Sequence, residues 1–457
     1  MPLTNNHDTQ TPGAPGTSRI EKIEKTAKLK LIPLTKRDKR ELISLLKDYT
    51  EMLREALEIV MKKDIRSRKK AHEACYEYLR RRYPHLHSKY VQEAYKRALA
   101  MYKSYRKLLR KWQKLPKRQK RRISPPSPPS IGENKVIELH VDTYRLKKLH
   151  QFSLLRVSKG SGDYMTFLVM EYEHAEEMIK EGELKNSRIL VDDGGIYLLL
   201  TVRKEVEVSR HANKLIIDIN EDTVDCLLID RGAGKALLFT VRHDIRGIRM
   251  NYRRIRKGIQ MKTRGKRGSN VLLARYGGRE RKRVEDRLKK VTTMLAELCA
   301  EFGTDLVRED LRDLKSNSKR RSRQLNYRLA TFPYRKFIGY VDYKFYERGL
   351  DVITVDPEET SITCPICGYA DSENRVNKEV FRCRRCGFTF NAQYVACLNI
   401  FSRLDEGEVV LRGGRLCLIL REAGFVVPVD VAPHEVRISD DALREKPVRI
   451  MTKVIKV

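Results

Sequence analysis

The pattern Cys364-Pro-Ile-Cys367, followed after 15 residues by Cys383-Arg-Arg-Cys386, constrains this chain more than any other feature. Each CxxC turn aims two thiolates at one ion, and two such knuckles complete a tetrahedron. The spacing therefore predicts a zinc ribbon over residues 361–387. Gly368 and Gly387 directly follow the second cysteine of each pair, where a knuckle turn wants positive φ. Four thiolates leave no open position, so the zinc is expected to be structural; free or redox-active thiols are the competing reading. The other cysteines of the nine, Cys75, Cys226, Cys299, Cys397 and Cys417, are scattered singly and form no disulfide framework.

Charge narrows the partner. The chain carries 95 Lys and Arg against 60 Asp and Glu, a formal net charge of +35. Phosphates and their released counterions reward clustered basic side chains, so a polyanion is expected. A membrane surface would also attract this charge, but no apolar run reaches about 18 residues. The segment MPLTNNHDTQTPGAPG lacks a signal-peptide h-region. The expectation is a nucleic-acid binder with no membrane, cytoplasmic and nucleoid-associated.

Along the chain, residues 1–20 read as a disordered tail and TAKLKLIPL (26–34) alternates like a strand. Three basic helices are predicted at 36–62, 68–82 and 88–113, and 114–130 is a basic, Pro/Ser-rich connector. From 136 to 209 short alternating runs predict an antiparallel barrel or sheet, which the first strand completes. KLIIDINEDTVDCLLIDRGAGKALLFTV (214–241) reads as three successive strands. Residues 244–290 are dominated by one sign of charge, where a solvated helix face would mix signs. Arg246, Arg249, Arg253, Arg254, Arg256, Lys257, Arg279, Arg281, Lys282 and Arg283 are the candidate phosphate contacts. TDLVRE then ends a strand at Glu309, RKFIGYVDYKFYERGL is an amphipathic helix, and DVITVDP is a further strand. The tail beyond Ile400 has apolar runs without a placeable pattern.

Asp218 and Glu309 each end an apolar strand. Acids meeting at a sheet edge can hold Mg²⁺ through carboxylate oxygen, and two such ions can serve phosphodiester cleavage. Taken alone this is weak, because acids at strand ends are usually just solvated surface groups.

The segments LIIDINEDTV, LVREDLRDL, QLNYRLATFPYRKFIGYVDYKFYERGLDVITVDPEETSITCPICG, FRCRRCGF and NAQYVACLNI, in this order and spacing, resemble the RuvC-type nuclease domain of TnpB proteins. These are transposon-encoded relatives of type V CRISPR effectors. The resemblance implies a multidomain α+β chain. A RuvC/RNase H-like α/β nuclease domain (211–360 and 388–402) would carry the zinc ribbon as an insert. A wedge-like β-barrel (21–35 and 131–210) would be interrupted by a helical recognition domain and basic linker (36–130). The extension 403–457 has no assigned role. Family members bind a guide RNA derived from the transposon end and pair it with double-stranded target DNA. They cut with three acidic residues and Mg²⁺.

Asp218 matches the first acidic position and Glu309 the second, but the third falls on Gln393. An amide there removes a negative charge and lengthens the side chain, while Mg²⁺ demands close octahedral geometry and prefers carboxylate. Asp405, 12 positions on, is about 18 Å along a continued helix, and Asp310 points to the opposite face from Glu309. Mg²⁺ binding is therefore expected to be weakened. The expectation is an RNA-guided DNA-binding protein with lost or strongly reduced cleavage. The alternatives are an active Mg²⁺-dependent endonuclease that recruits another ligand, and a guide-independent accessory factor of transposition.

Overall fold

The computed structural model describes residues 17–121, 123–150, 152–160, 162–263, 269–311, 332–404, 406–421, 425–432 and 435–437. They fall into two compact units, one of residues 22–205 and one of residues 206–457 together with the chain up to residue 21.

In the first unit, strand β1 (Ser18–Pro33) is followed by helices α1 (Lys36–Lys62), α2 (Arg68–Arg82), α3 (Ser88–Gln113) and the single turn α4 (Lys117–Lys120). Strands β2 (Val136–Leu139), β3 (Tyr144–Lys148), β4 (Ser153–Gly160) and β5 (Asp163–Met170) come next. Helix α5 (Glu173–Glu181) and strands β6 (Glu183–Leu184), β7 (Ser187–Asp192) and β8 (Gly195–Ser209) complete it. The sheet runs β2-β7-β8-β1-β5-β4-β3, with β6 on β8. Among the described residues no ladder joins β2 to β3, so the pairing path stays open rather than closing into the expected barrel.

The alternation of β1 buries Ala27, Leu29 and Leu31. Helix α1 starts at a reciprocal cap between Thr35 and Asp38 and buries Leu42, Leu45, Tyr49, Met52 and Leu53 on one stripe. Strands and helices share one core, in which Leu29, Leu45, Tyr90 and Phe167 all take part. The bounds of α1 to α3 coincide with the helices expected at 36–62, 68–82 and 88–113. Four elements of this unit were not foreseen, β3, α4, α5 and β6; α4 is a single turn inside the stretch read as a connector, and α5 buries only Ala175 and Met178, too little for a periodic signal. Strand β1 begins at Ser18, inside the stretch read as a tail, and residues 1–16 lie outside the described residues.

The second unit contains β9 (Asn213–Ile219), β10 (Thr223–Asp230), β11 (Lys235–Arg242), α6 (Ile245–Lys262), α7 (Ser269–Glu301) and β12 (Thr304–Glu309). After these come α8 (Tyr334–Tyr346), β13 (Val352–Val355), β14 (Val380–Arg382), β15 (Thr389–Asn391) and α9 (Ala392–Ser402). Strands β16 (Gly407–Arg412), β17 (Arg415–Leu420), β18 (Phe425–Val431) and β19 (Val436–Arg437) follow. The sheet order is β13-β12-β9-β10-β11-β18-β17-β16. Strand β10 is antiparallel to β9 and β11, while β12 runs parallel to β9 and β13 to β12.

The C-terminal stretch without a placeable pattern thus extends the sheet beyond β11, where β18 adds in parallel. Its hairpin turns on Gly413 and Gly414, both at positive φ, between the paired Arg412 and Arg415. Such a two-residue turn needs glycine-like freedom at both central positions.

Central strand β10 is buried from Thr223 through Ile229. Covered on both faces, it reads as a continuous apolar run. Ile216, Leu227, Ile229, Leu238 and Val307 pack with Val395, Leu398 and Phe401 of α9 and with Phe381 and Phe388 of the ribbon. Among the described residues no helix is long and apolar enough to cross a membrane.

Candidate metal centres and nucleic-acid surface

Side chains alternate faces along a strand, so parity decides what meets helix α9. Asp218 shares parity with Ile216, Asp225 with Leu227, Thr240 with Leu238, and Glu309 with Val307. Register then aligns them: Asp225 pairs with Asp218 on one side and with Thr240 on the other. Arg308 pairs with Ile217, which sets Glu309 next to Asp218. Thr240, Asp225, Asp218 and Glu309 form one row across four strands, on the face that α9 covers.

The row is hydrogen-bonded from its rim. Asn220 Nδ2 donates to Asp218 Oδ2 at 2.9 Å and to Asp225 Oδ2 at 2.8 Å. The Thr240 hydroxyl donates to Asp225 Oδ1 at 2.6 Å, and the Tyr394 hydroxyl lies 3.2 Å from the same Thr240 oxygen. Thr360 donates to Glu309 Oε1. Arg308 Nη1 donates to the Glu309 carbonyl at 3.0 Å while its guanidinium grips Asp342 at both oxygens, at 2.8 and 2.6 Å.

Burial penalises the charged form of each acid. It pushes Asp218 up from the ordinary carboxylate range. Burial and then the neighbouring charge of Asp218 bring both Asp225 and Glu309 to about 7. Three oxygen-donor acids that are costly to ionise side by side suit a hard divalent cation, so the donor set fits Mg²⁺.

Asn391 caps α9 through its side chain, which accepts from the Gln393 N–H at 3.0 Å. Gln393 therefore sits in the first helical turn, one turn before Cys397 on the same helix face. Cys397 Sγ reaches the Asp225 carbonyl at 3.3 Å. The structure brings Asp218 and Glu309 into one row and sets Gln393 on the helix that covers it. Asp225 was missed, because TVDCLLID reads as one buried run and only strand register reveals its neighbour. Asp405 lies outside the described residues.

At the ribbon, Cys364, Cys367, Cys383 and Cys386 place their sulfurs within 4.8 Å of one another, the group of three or more metal-ligating side chains that meets this limit among the described residues. Cys364 and Cys386 are 3.6 Å apart at Sγ, and Cys367 and Cys383 3.5 Å. Zn–S bonds of about 2.3 Å give a tetrahedron with edges of about 3.8 Å, so the four thiols are spaced for one tetrahedral ion. Gly368 at φ 70° and Gly387 at φ 73° close the knuckles. Buried Asn374 stitches them together, donating to the Ile362 and Tyr369 carbonyls and accepting from the Arg384 N–H. The cluster also reaches the acid row, because Asn399 of α9 donates to the carbonyls of Thr360 and Thr363 at 2.7 Å each.

The basic candidates divide. Arg253, Arg254, Lys257, Arg279, Arg281, Lys282 and Arg283 are exposed on α6 and α7. Arg246 instead lies 3.8 Å from Asp222, and Arg256 pairs with Glu280. Arg249 is half-buried with partners of its own. Those three are held by the fold, and Arg253, though exposed, also has a partner within the chain; an intramolecular partner competes with phosphate.

Comparison with known proteins agrees with this architecture. The sequence-family model described as Cas12f1-like, TNB domain, matches residues 334–400, which hold the four cysteines and Gln393. A second, described as uncharacterized protein MJ0013 family, matches residues 45–124. The TnpB-like protein MJ0751 of Methanocaldococcus jannaschii is 26% identical over 55% of this chain and 91% of its own length. A solved structure of a Cas12f1–sgRNA–target DNA complex overlays 83% of this chain and 98% of that one, with TM-score 0.54 at 12% identity, which is likeness of fold. The TnpB-like protein MJ0012 of the same archaeon is 33% identical over 38% of this chain and 71% of its own length. On that match the chain belongs to the TnpB-like proteins.

Proposed function

We propose that this protein is an RNA-guided DNA-binding protein whose second unit is a RuvC/RNase H-like domain with strongly reduced cleavage. The observation that carries this reading is Gln393: the helix over the acid row offers an amide where the family resemblance implies an aspartate. Asp218, Asp225 and Glu309 are the residues that would hold Mg²⁺. When bound, the metal supplies the charge that activates water and stabilises the leaving oxygen of a phosphodiester. The protein's own groups hold the acids in place: Asn220 spans two of them, Thr360 orients Glu309, and Arg308 fixes the Glu309 backbone. An amide at Gln393 adds no charge to this set, so the transition state is stabilised less than by a full complement of carboxylates.

Binding does not depend on that residue. Base pairing with a guide reads the sequence, while the protein holds backbones through Arg and Lys. The exposed cations of α6 and α7 suit that task, and residues 22–205 would serve as wedge and helical recognition region. The solved complex of similar fold holds an sgRNA and a target DNA, which supports a guide RNA and a DNA target here; the transposon-end origin of the guide and the double-stranded target are what the family resemblance implies. The ribbon zinc would be structural, since its four thiol ligands leave no site for substrate.

The test is cleavage of a plasmid carrying a target matched to the guide, with the short flanking motif that the family resemblance implies, by protein purified with its RNA in Mg²⁺. The natural chain, Gln393→Asp and Gln393→Asp/Glu309→Ala are compared. The expected result is guide-dependent plasmid binding by all three and cutting by the Gln393→Asp protein alone. Efficient cutting by the natural chain overturns the reduced-cleavage reading, and absence of co-purifying RNA overturns the guide.

A further inference from the structure

We propose that β16 is a self-association strand: the outer edge of the second unit's sheet pairs antiparallel with the same edge of a second copy of this chain, about a two-fold axis at Val410. The inference goes beyond the RNA-guided reading and does not depend on it.

The first argument is which backbone groups face outward. Strand β16 ends the sheet order, so among the described residues nothing pairs with its outer side. The two-residue turn at Gly413-Gly414 makes Arg412 and Arg415 a hydrogen-bonded pair, and along an antiparallel ladder such pairs alternate with pairs whose N–H and C=O point away. The Arg421 N–H, bonded to the Glu406 carbonyl at 2.9 Å, continues that alternation at the far end. Even-numbered residues of β16 therefore bond β17, and the N–H and C=O of Gly407, Val409 and Leu411 face outward. Sheets commonly blunt such an edge with Pro or Lys, and these three positions hold neither. Leu411 also leaves 46% of its surface exposed. The opposite edge strand, β13, is short and runs straight into Asp356-Pro357.

The second argument is register. Outward groups meet outward groups in only a few two-fold registers. Val409 on the partner's Val409 sets Arg412 opposite the partner's Glu406, an acid that already holds Arg231 at 2.8 Å. Leu411 on the partner's Leu411 sets Arg412 opposite an apolar valine. Val409 on the partner's Leu411 places Glu408 opposite the partner's Arg412 at both ends, with Val410 on the axis. These are the non-hydrogen-bonded pairs of the new ladder, where side chains stand closest.

The charges on the strand favour this register. Arg412 and Arg415 are like charges directly opposite each other, and among the described residues no acid forms an ion pair with either. Glu408 meets Arg421 only loosely, at 3.5 Å with both side chains more than half exposed. In the pairing, the partner's Glu408 answers Arg412 and the partner's Val409 covers Leu411. The net charge of +35 opposes any second copy. That repulsion acts over long range, whereas the Glu408–Arg412 contacts are local. At about 0.3 M salt, where the screening distance is roughly 6 Å, the repulsion is suppressed first.

The experiment is sedimentation velocity of RNA-free, full-length protein retaining its zinc, at about 0.3 M salt and from about 1 to 100 µM. The natural chain is expected to pass from monomer to dimer over this range. Arg412→Glu and Glu408→Arg should each weaken the dimer at least about tenfold by setting like charges opposite, and the double swap Glu408→Arg/Arg412→Glu should restore it. Leu411→Pro removes an outward N–H but no bond of the hairpin, so it should keep the melting temperature and lose the dimer. Val410→Cys should give a disulfide-linked dimer on mild oxidation that the natural chain does not, since paired Cα atoms about 4.5 Å apart suit that bond. A natural chain still monomeric at the highest concentration overturns the inference. So does a dimer that survives Leu411→Pro, or one that the single swaps weaken and the double swap fails to restore. All of these are read without RNA or DNA, so they stand apart from the plasmid assay that tests the guide.

Discussion

Thr360, four residues before Cys364, the first cysteine of the four-cysteine cluster, donates a hydroxyl hydrogen bond to Glu309 Oε1 at the end of β12. The loop that enters the ribbon thus also orients an acid of the sheet. Asn399 locks the loop by donating to the Thr360 carbonyl. Thr360→Val keeps the shape and removes the donor. Leaving a buried acceptor without a partner costs about 1–3 kcal/mol, so a lower urea midpoint is expected. In the Gln393→Asp background, Thr360→Val should also slow plasmid cleavage by about tenfold, because Glu309 loses its fixed rotamer. Cleavage at the parent rate would show that Glu309 is oriented without this hydroxyl.

The exposed cations of α6 and α7 predict a salt dependence. Each phosphate contact contributes a slope of about −0.9 to the plot of log affinity against log salt for duplex DNA, and about −0.7 for single strands. Arg281→Ala/Lys282→Ala should flatten that slope by about one to two units and weaken binding equally for all sequences. Arg256→Ala should act differently, through stability, since its guanidinium already serves Glu280. Filter binding at several salt concentrations separates the two; an unchanged slope for the double variant removes these helices from the nucleic-acid path.

How much of this was legible beforehand depends on where the information resides. Helices α1 to α3 repeat apolar residues at helical spacing over several turns, so their ends were readable from Thr35 and the flanking loops. The four-cysteine cluster was readable because its members are close in sequence and its geometry follows from two similar turns. Asp225 was not, although it lies only seven positions from Asp218. Asp405 and Asp310 are near Gln393 and Glu309 along the chain, whereas the acid beside Asp218 is set by strand pairing. The tail strands β16 and β17 carried a signal that went unused, the Gly413-Gly414 turn between apolar runs. Charge counting found the basic helices but not which cations the fold itself engages, such as Arg246 and Arg256.

Arg308 and Asp342 form a buried ion pair between β12 and α8, at 7% and 9% exposure. Removing one partner leaves the other charge uncompensated, so Asp342→Ala is expected to cost roughly 3–5 kcal/mol. The double change Arg308→Met/Asp342→Leu should recover most of that loss, because an apolar pair of similar volume needs no desolvated charge. Recovery of stability with weakened Mn²⁺ binding would place Arg308 as a positioning residue, acting through the Glu309 carbonyl that it holds. Urea melts and Mn²⁺ titration of the same proteins read the two effects separately.

His243 is fully buried and stacks on Phe332 with ring centroids 5.1 Å apart. Burial lowers its pKa from the ordinary 6.5 to about 4, with Arg287 and Arg242 adding to the effect. Between those pH values the unfolded chain binds a proton that the folded chain refuses. Its contribution to stability is therefore intact above 6.5 and falls as pH drops toward 4, by about 3 kcal/mol in all. Asp225 and Glu309 act with the opposite sign. Their carboxyls are raised to about 7, so the metal-free fold loses stability as pH rises from about 4 to 7. The curve of the natural chain alone mixes these slopes, and the difference between it and His243→Gln isolates the histidine. The natural chain should lose stability relative to this variant as pH falls through the window; a difference that stays constant would mean that the imidazole takes up its proton inside the folded protein.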